Sequence, residues 1–541
     1  MPEHVDVMPK AAAASLEGRP SAADGVTLKI SQDAPRDARR RRNDTIALLA
    51  AVACIVLGVK LLVIAVLGSP VPLSDQWDGE AILYSRYLRG ALSFAQLFAP
   101  HNEHRIVVFR MLALLHLELA GEWNTRLEMI LGAIVDTAVI TWFTSLLMPL
   151  VSSRRRMLLG CFVAFLFAFP IFENSLWGFQ DQVYLALLFG IAALAAFASA
   201  SPFSARWFCG LIAAILSYFS FATGVATILA AAVLVGLQIA TNARKRCRRE
   251  FAGVIVIAST GLAIILWASS SAHPLSTPWT VIEGLFLLGA CVMAALLPMA
   301  WFCWHTVSKR PAISDRAWPV IGIAAWLVIQ LGLLAYGRGA AIAVRYMDAI
   351  MLVYPLGLMA MFALADRARA SRFSRYTRPV AMAWVFTVVV AFALLGYYGA
   401  VLGAIDWSKA AREETAKIQT YLATGNVDYL KSTGRGGHGI ELSYPYPGHL
   451  AEVLGDPNVR AILPPEIRPS DADNVGARNR MLLKGSLAGA TATAVRFIFS
   501  VGPALLALGV GLFFGVEAQR SFRALKGHQG WHRRPDAERT S

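Results

Sequence analysis

The chain has 541 residues, 56% of them hydrophobic and only 16% charged, with a mean hydropathy of +0.53; an average soluble domain carries about 25% charged residues, so a water-soluble globule is excluded. The formal charge of +15 sits mainly between and outside the apolar runs, which ties it to orientation in a bilayer and not to nucleic acid. Apolar residues gather in long runs instead of alternating as they would along barrel strands, which predicts an all-α polytopic membrane protein.

In chain order, residues 1–45 are rich in Ala, Asp, Pro and Arg without apolar periodicity, and they read as a disordered basic cytoplasmic arm. A helix needs about 20 apolar residues to cross the hydrocarbon. About twelve spans follow, near 46–68, 129–151, 157–172, 183–200, 207–221, 222–239, 252–270, 281–305, 320–336, 349–365, 380–404 and 497–516. The fifth and sixth run almost together through Tyr218-Phe-Ser-Phe-Ala-Thr-Gly224, a pattern compatible with a hairpin that turns before the far face. Basic clusters at 39–42, 154–156, 244–249, 309–310, 367–378 and 520–526 fall on every second side. By the positive-inside rule both termini, including the tail 517–541, are cytoplasmic, and the default location is a bacterial inner membrane. The loop 69–128 and the region 405–496 are then external (periplasmic), flanking a transmembrane bundle over 46–404.

The late region reads as a small cap with a helix over 408–422, a flexible Gly-rich stretch Thr433-Gly-Arg-Gly-Gly-His-Gly439, and Pro-rich turns. The six cysteines show no ligand spacing and no external pair, which predicts free thiols. Lys60 and Asp136 lie inside the first two spans, each roughly 11 Å from the outer end at 1.5 Å per residue. They are expected to pair, because an unpartnered charge at that depth is costly.

The residues able to perform chemistry collect in the external loops. In Ser74-Asp-Gln-Trp-Asp-Gly-Glu80, Ser74 or Asp75 can cap a surface helix whose apolar stripe is Trp77, Ala81, Tyr84 and Leu88. Asp75, Asp78 and Glu80 either complement that helix dipole or supply a catalytic carboxylate. The stretch His101-Asn-Glu-His-Arg-Ile106 brings His101, Asn102, Glu103, His104 and Arg105. Imidazoles and a carboxylate suit a divalent metal ion, but the spacing is short and no further ligand follows, so no metal or other cofactor is assigned. Arg105 suits a phosphate oxygen pair or an ion pair with Glu103 or Glu122. Later turns add Glu173, Gln180 and Asp181, then His273, then Arg338 and Arg345 beside Asp348. Positive charge on an outer face runs against the orientation rule, which marks Arg338 and Arg345 as ligands for an anionic headgroup or as partners of Asp348. Trp177, Phe179, Trp279 and Tyr346 are expected in the interfacial aromatic belt.

This order of a first span, an outer loop opening on an acidic motif, a surface helix ending near Gly, and a His-containing stretch before the second span resembles the GT-C superfamily of integral membrane glycosyltransferases. Trp77-Asp-Gly-Glu-Ala81 and Gly90-Ala-Leu-Ser-Phe94 look like the Asp-Glu-Ala and Gly-x-Leu-Ser features of its protein-mannosyltransferase-like and aminoarabinose-transferase-like members. The match by motif covers residues 73–110. Gly79 separates Asp78 from Glu80 where many members have adjacent acids, so the resemblance does not choose among the carboxylates.

The resemblance implies transfer of a sugar from a polyprenyl-phosphate carrier to an acceptor hydroxyl on a glycan, lipid or protein, on the periplasmic side, with inversion. Asp75 would be the base, with Asp78 and Glu80 as alternates. Arg105, Arg338 and Arg345, helped by His104, would hold the donor phosphate. Two rivals remain. One is an O-antigen ligase or polymerase working from the late loop through Arg435, His438, His449 and Arg460. The other is a secondary transporter or lipid flippase, which tends to show internal repeats and midplane ionisable residues.

Overall fold

The computed structural model describes residues 22–169, 171–269, 276–368, 374–432 and 440–532. His273, Arg435, His438 and the Gly-rich stretch lie outside them. The described residues hold no β-strand, only one isolated bridge, and ten of their helices are long and apolar enough to cross a membrane. The protein is an all-helical, multi-pass membrane protein.

Ten of the twelve expected spans correspond to these helices. The third and fifth are helices of 16 residues, Ser153–Ala168 and Ala205–Ser220, short of the length that crosses the hydrocarbon untilted. At the fifth-to-sixth junction Phe221 is extended and a 3-10 turn, Ala222–Gly224, leads directly into the helix Val225–Ala240. The sixth stretch, Ala222–Ala240, is itself one of the ten long helices.

Residues 1–46 and 47–541 form separate units. In the first unit the chain is helical from Ala22 onward, within the helix Ala22–Leu67, where a disordered arm is expected from composition. The Ala- and Arg-rich run from Ala38 to Arg42 has good helix propensity, although the helix also takes in Gly25 and Pro35, for which local propensity gives no account.

The eleventh span and the expected cap helix are one continuous element, with Ser374–Leu395 passing through a π-helical turn, Gly396–Val401, into Leu402–Thr424. A Cβ at Gly396 would lie 2.6 Å from the Phe169 ring and one at Gly403 2.5 Å from Phe172, so the helix passes these rings at glycines, and its local unwinding accommodates them.

Loops of one bundle end come together: residues 69–124, the turns near 175, 222 and 340, and the region after Leu402. The opposite end carries the basic clusters 154–156 and 244–249. There Arg244 donates to Phe197 O at 2.6 Å and Ala200 O at 2.8 Å, and Arg249 donates to Pro202 O at 2.9 Å, cations meeting carbonyls at and just beyond a helix C-terminus. Two hydrophobic cores follow from this division. The larger fills the bundle. The smaller joins Val71 to Trp123 of the first loop with Leu176, Trp177 and Phe179 and with the late region from Ala404 to Met481.

Lys60 and Asp136 pair at 2.9 Å, as their depth demands, and all six cysteines are free. The first and last spans touch backbone to backbone. A Cβ at Gly58 would sit 2.7 Å from Leu506 N, and one at Gly509 2.9 Å from Ala51 O, whereas Gly511 faces open space; small residues permit such an approach. Gly58→Ala is expected to lower the melting temperature of the detergent-purified protein by several degrees, equivalent to about 1–3 kcal/mol of overpacking, while Gly511→Ala leaves it unchanged.

Candidate functional site

The chain enters the first loop through Ser74 at φ +46° and forms two short helices, Gln76–Gly79 and Ala81–Leu88, that meet at Glu80. The expected stripe of Trp77, Ala81, Tyr84 and Leu88 is buried in the smaller core. The helical segment therefore packs its stripe against the late region. Its acids divide by helical angle: Asp75 and Asp78, three apart, share one face, while Glu80 points inward and is fully buried.

Glu80 is held by donors. Gln76 Nε2 donates to Glu80 Oε1 at 3.1 Å, and Tyr84 OH and Trp123 Nε1 donate to Oε2 at 3.2 and 2.9 Å. Gln76 Nε2 also donates to Glu128 Oε2 at 3.0 Å, binding the two buried carboxyl groups into one cluster. Burial pushes the Glu80 carboxyl up to about 7 from an ordinary 4.5, against the pull of these hydrogen bonds.

Asp78 faces the late region, accepting from Tyr444 OH at 2.7 Å and lying 3.3 Å from His449 Nε2. Asp75 is half-buried, and among the described residues its carboxylate has no hydrogen-bond or ion-pair partner; it makes no side-chain cap bond to the helix it precedes. Its negative charge reaches His101, whose pKa burial lowers. The His101 ring stands edge-on to Phe179, 5.1 Å between centroids, with Nε2 buried and unbonded.

His101 and His104 pair through both backbone hydrogen bonds, 2.8 and 2.9 Å, across a tight turn with Asn102 at φ +49°. This hairpin has two sides. His101 is on the Asp75 side. On the other, the His104 ring stacks on Phe221 at 4.2 Å, and its Nδ1 accepts the Ala222 N–H at 3.3 Å, a donor freed by the break between helices. Burial, His101 and Arg345 press the His104 pKa down to about 3, so the ring is neutral and its Nε2–H faces Glu103.

Glu103 is in close ion pairing with Arg338, which also donates to Tyr346 OH at 3.1 Å. Arg345 lies over the Tyr346 ring at 5.9 Å, its backbone N–H bonded to Glu173 Oε2 at 2.9 Å. Its guanidinium has no hydrogen-bond or ion-pair partner among the described residues. Neither arginine pairs with Asp348, which takes Asn174 Nδ2 at 2.7 Å instead. Arg105 donates to Phe98 O at 2.9 Å and stacks on Trp267 at 4.6 Å, while Glu122 pairs with Arg468 at 2.6 Å.

Gln180 and Asp181 sit deeper, both buried. Asp181 has neither oxygen hydrogen-bonded, and its Oδ1 would lie 2.0 Å from a Cβ at Gly132. Below it, Lys60 joins Asp136, Ser175 Oγ at 3.3 Å and Tyr184 OH at 3.2 Å. Trp177, Phe179 and Tyr346 leave the expected aromatic belt: they are 3%, 1% and 5% exposed and pack within the cores, whereas Trp279 is 67% exposed. Rings flanked by loop residues that fold over the bundle end are covered by that fold before lipid can reach them.

The structure thus gathers Asp75, Asp78, His101, Asn102, Glu103, His104, Arg338 and Arg345 around one hairpin and places Glu80, Gln180 and Asp181 beneath it. The rings of His101 and His104 diverge, and no three His, Cys, Asp or Glu side chains among the described residues converge as metal ligands. Sequence reasoning missed Gln76, Tyr84, Trp123 and Glu128 as one cluster. The available signal was a carboxylate three residues into a span, in Thr125-Arg-Leu-Glu128, where it reads as an ordinary helix-start acid. Comparison with known proteins returns no match to a family model, to a curated protein or to a solved structure.

An acid whose folded pKa is raised binds its proton more tightly in the folded state. Stability from Glu80 is therefore fully present below pH 4.5 and declines as pH rises towards about 7. Glu80→Gln is expected to flatten the fall in melting temperature between about pH 5 and 8, measured by scanning fluorimetry; an unchanged slope would assign that fall to other groups.

Proposed function

We propose that the protein is a GT-C-type glycosyltransferase that moves a sugar from a polyprenyl-phosphate donor to an acceptor hydroxyl at the periplasmic face of a bacterial inner membrane. One observation carries this reading: Asp75 and Arg345, both half-buried and both without a hydrogen-bond or ion-pair partner among the described residues, flank the same hairpin at one end of an apolar bundle. Unpaired charges of opposite sign in one site are costly to keep unless substrate completes them.

In this reading Asp75 takes the acceptor hydroxyl proton as the oxygen attacks the anomeric carbon. The bond from that carbon to the phosphate oxygen breaks, and the carrier phosphate leaves with the electron pair towards Arg345 and Arg338. Attack opposite the leaving group inverts the anomeric centre. Tyr444 and His449 fix Asp78 and leave Asp75 as the carboxylate without a partner among the described residues. Glu80 anchors the loop. Neutral His104 offers its Nε2–H as a donor on the phosphate side. Arg105, bonded to Phe98 O and stacked on Trp267, shapes the arginine side. The two 16-residue helices complete a bundle of about twelve, with both termini cytoplasmic.

A second reading has its own support. Asp136, Asp181 and Asp348 are all buried around Lys60, the kind of intramembrane array found in proton-coupled transporters. Solute flux into vesicles without a covalent product would decide for it. The ligase rival is met by His449, which lies against Asp78 and so within the same site. With purified protein and polyprenyl-phosphate sugars, Asp75→Asn is expected to lower kcat about 10²–10⁴-fold, and Arg345→Ala to raise donor KM about tenfold with acceptor KM little changed. Full transfer by the Asp75, Asp78 and Glu80 amide variants alike would remove the mechanism.

A further inference from the structure

At the outer end of the first span, away from the hairpin, lies a cavity of about 320 Å³. One wall is Val66 to Pro70. The other is a single helical face, Ser408, Ala411, Arg412, Thr415 and Gln419, at spacings of three and four. The small side chains of that face make the space, and Arg126 closes it from the start of the second span.

Its charges are unfinished. Arg126 Nη2 donates to Gly68 O at 3.3 Å, but its Nε is buried with no partner. Arg412 lines the same cavity, is exposed, and has no hydrogen bond or ion pair among the described residues. Against these two cations stands one carboxylate, Glu466, so the lining carries a net positive charge. A buried guanidinium edge without an acceptor is costly, and an oxyanion satisfies it with charge-assisted hydrogen bonds. The level also matters. Leu67 ends one span and Thr125 begins the next, which sets the cavity where acyl chains give way to headgroups, with Val66 and Leu67 on its lipid-facing border.

We propose that this cavity binds the headgroup phosphate of an anionic membrane phospholipid between Arg126 and Arg412. The site goes beyond the sugar-transfer reading and does not depend on it, because it shares no residue with the hairpin site. The lipid's acyl chains would run down beside Val66, and its phosphate would complete the Arg126 edge and hold the cap helix Leu402–Thr424 against the start of the second span.

The test uses the full chain in neutral phosphatidylcholine micelles titrated with phosphatidylglycerol, with bound lipid counted by native mass spectrometry. The wild type is expected to retain phosphatidylglycerol over phosphatidylcholine. Arg412→Gln should weaken that binding about tenfold and Arg126→Gln with Arg412→Gln about a hundredfold. Thr415→Trp, which fills the space and keeps both arginines, should abolish it. Because Arg412 is exposed, its variant answers the question even if the double variant fails to fold. Undiminished lipid retention in Arg412→Gln and Thr415→Trp would overturn the site. Displacement of the lipid by inorganic phosphate alone would overturn its assignment to a lipid. No sugar transfer is measured, so either result stands apart from the fate of the proposed reaction.

Discussion

A carboxylate taken out of water must be given donors or a proton, and at Glu80 that requirement organises the loops at this end of the bundle. Its donors come from three places in the chain: Gln76 before it, Tyr84 one turn after it, and Trp123 at the far end of the loop. Gln76 reaches on to Glu128 at the start of the second span. The Trp123 backbone N–H, 2.7 Å from Ile462 O, continues the chain of bonds into the late region. With Glu80 anchored inward, helical geometry leaves Asp75 and Asp78 no choice but to face out.

The same low-dielectric interior separates the charges above it. Lys60, Asp136, Asp181 and Asp348 form a buried polar floor beneath the hairpin. Above it, His101 and His104 are kept neutral by burial, so the hairpin between them carries little charge of its own apart from Glu103, which Arg338 balances. The result is a negative side at Asp75 and a positive side at Arg345 with a nearly neutral partition between.

The late region is the other half of this arrangement. It begins as the extension of a span through the π-helical turn and returns over the first loop to share one hydrophobic core with it. Tyr444 and His449 bring that return to Asp78, while Glu118 accepts the backbone N–H groups of Leu482 and Leu483 at 3.0 and 2.7 Å. Segments more than 300 residues apart in sequence therefore fix each other at the site.

The sequence by itself determined what local physics can determine. Runs of apolar residues long enough to cross a bilayer declare their helices, the stripe Trp77, Ala81, Tyr84 and Leu88 declares its buried face, and the depth of Lys60 and Asp136 forces their pairing. Only the tertiary structure decided which carboxylate is anchored and which has no partner among the described residues, that Arg338 takes Glu103 while Arg345 takes no charged partner among those residues, and that Tyr444 and His449 close over Asp78. Those outcomes depend on contacts between distant segments, and hydrophobic periodicity carries no information about which distant segment will arrive. Trp177 and Phe179 make the point from the other side, since an aromatic ring near a span end reads the same whether lipid headgroups or another loop will cover it.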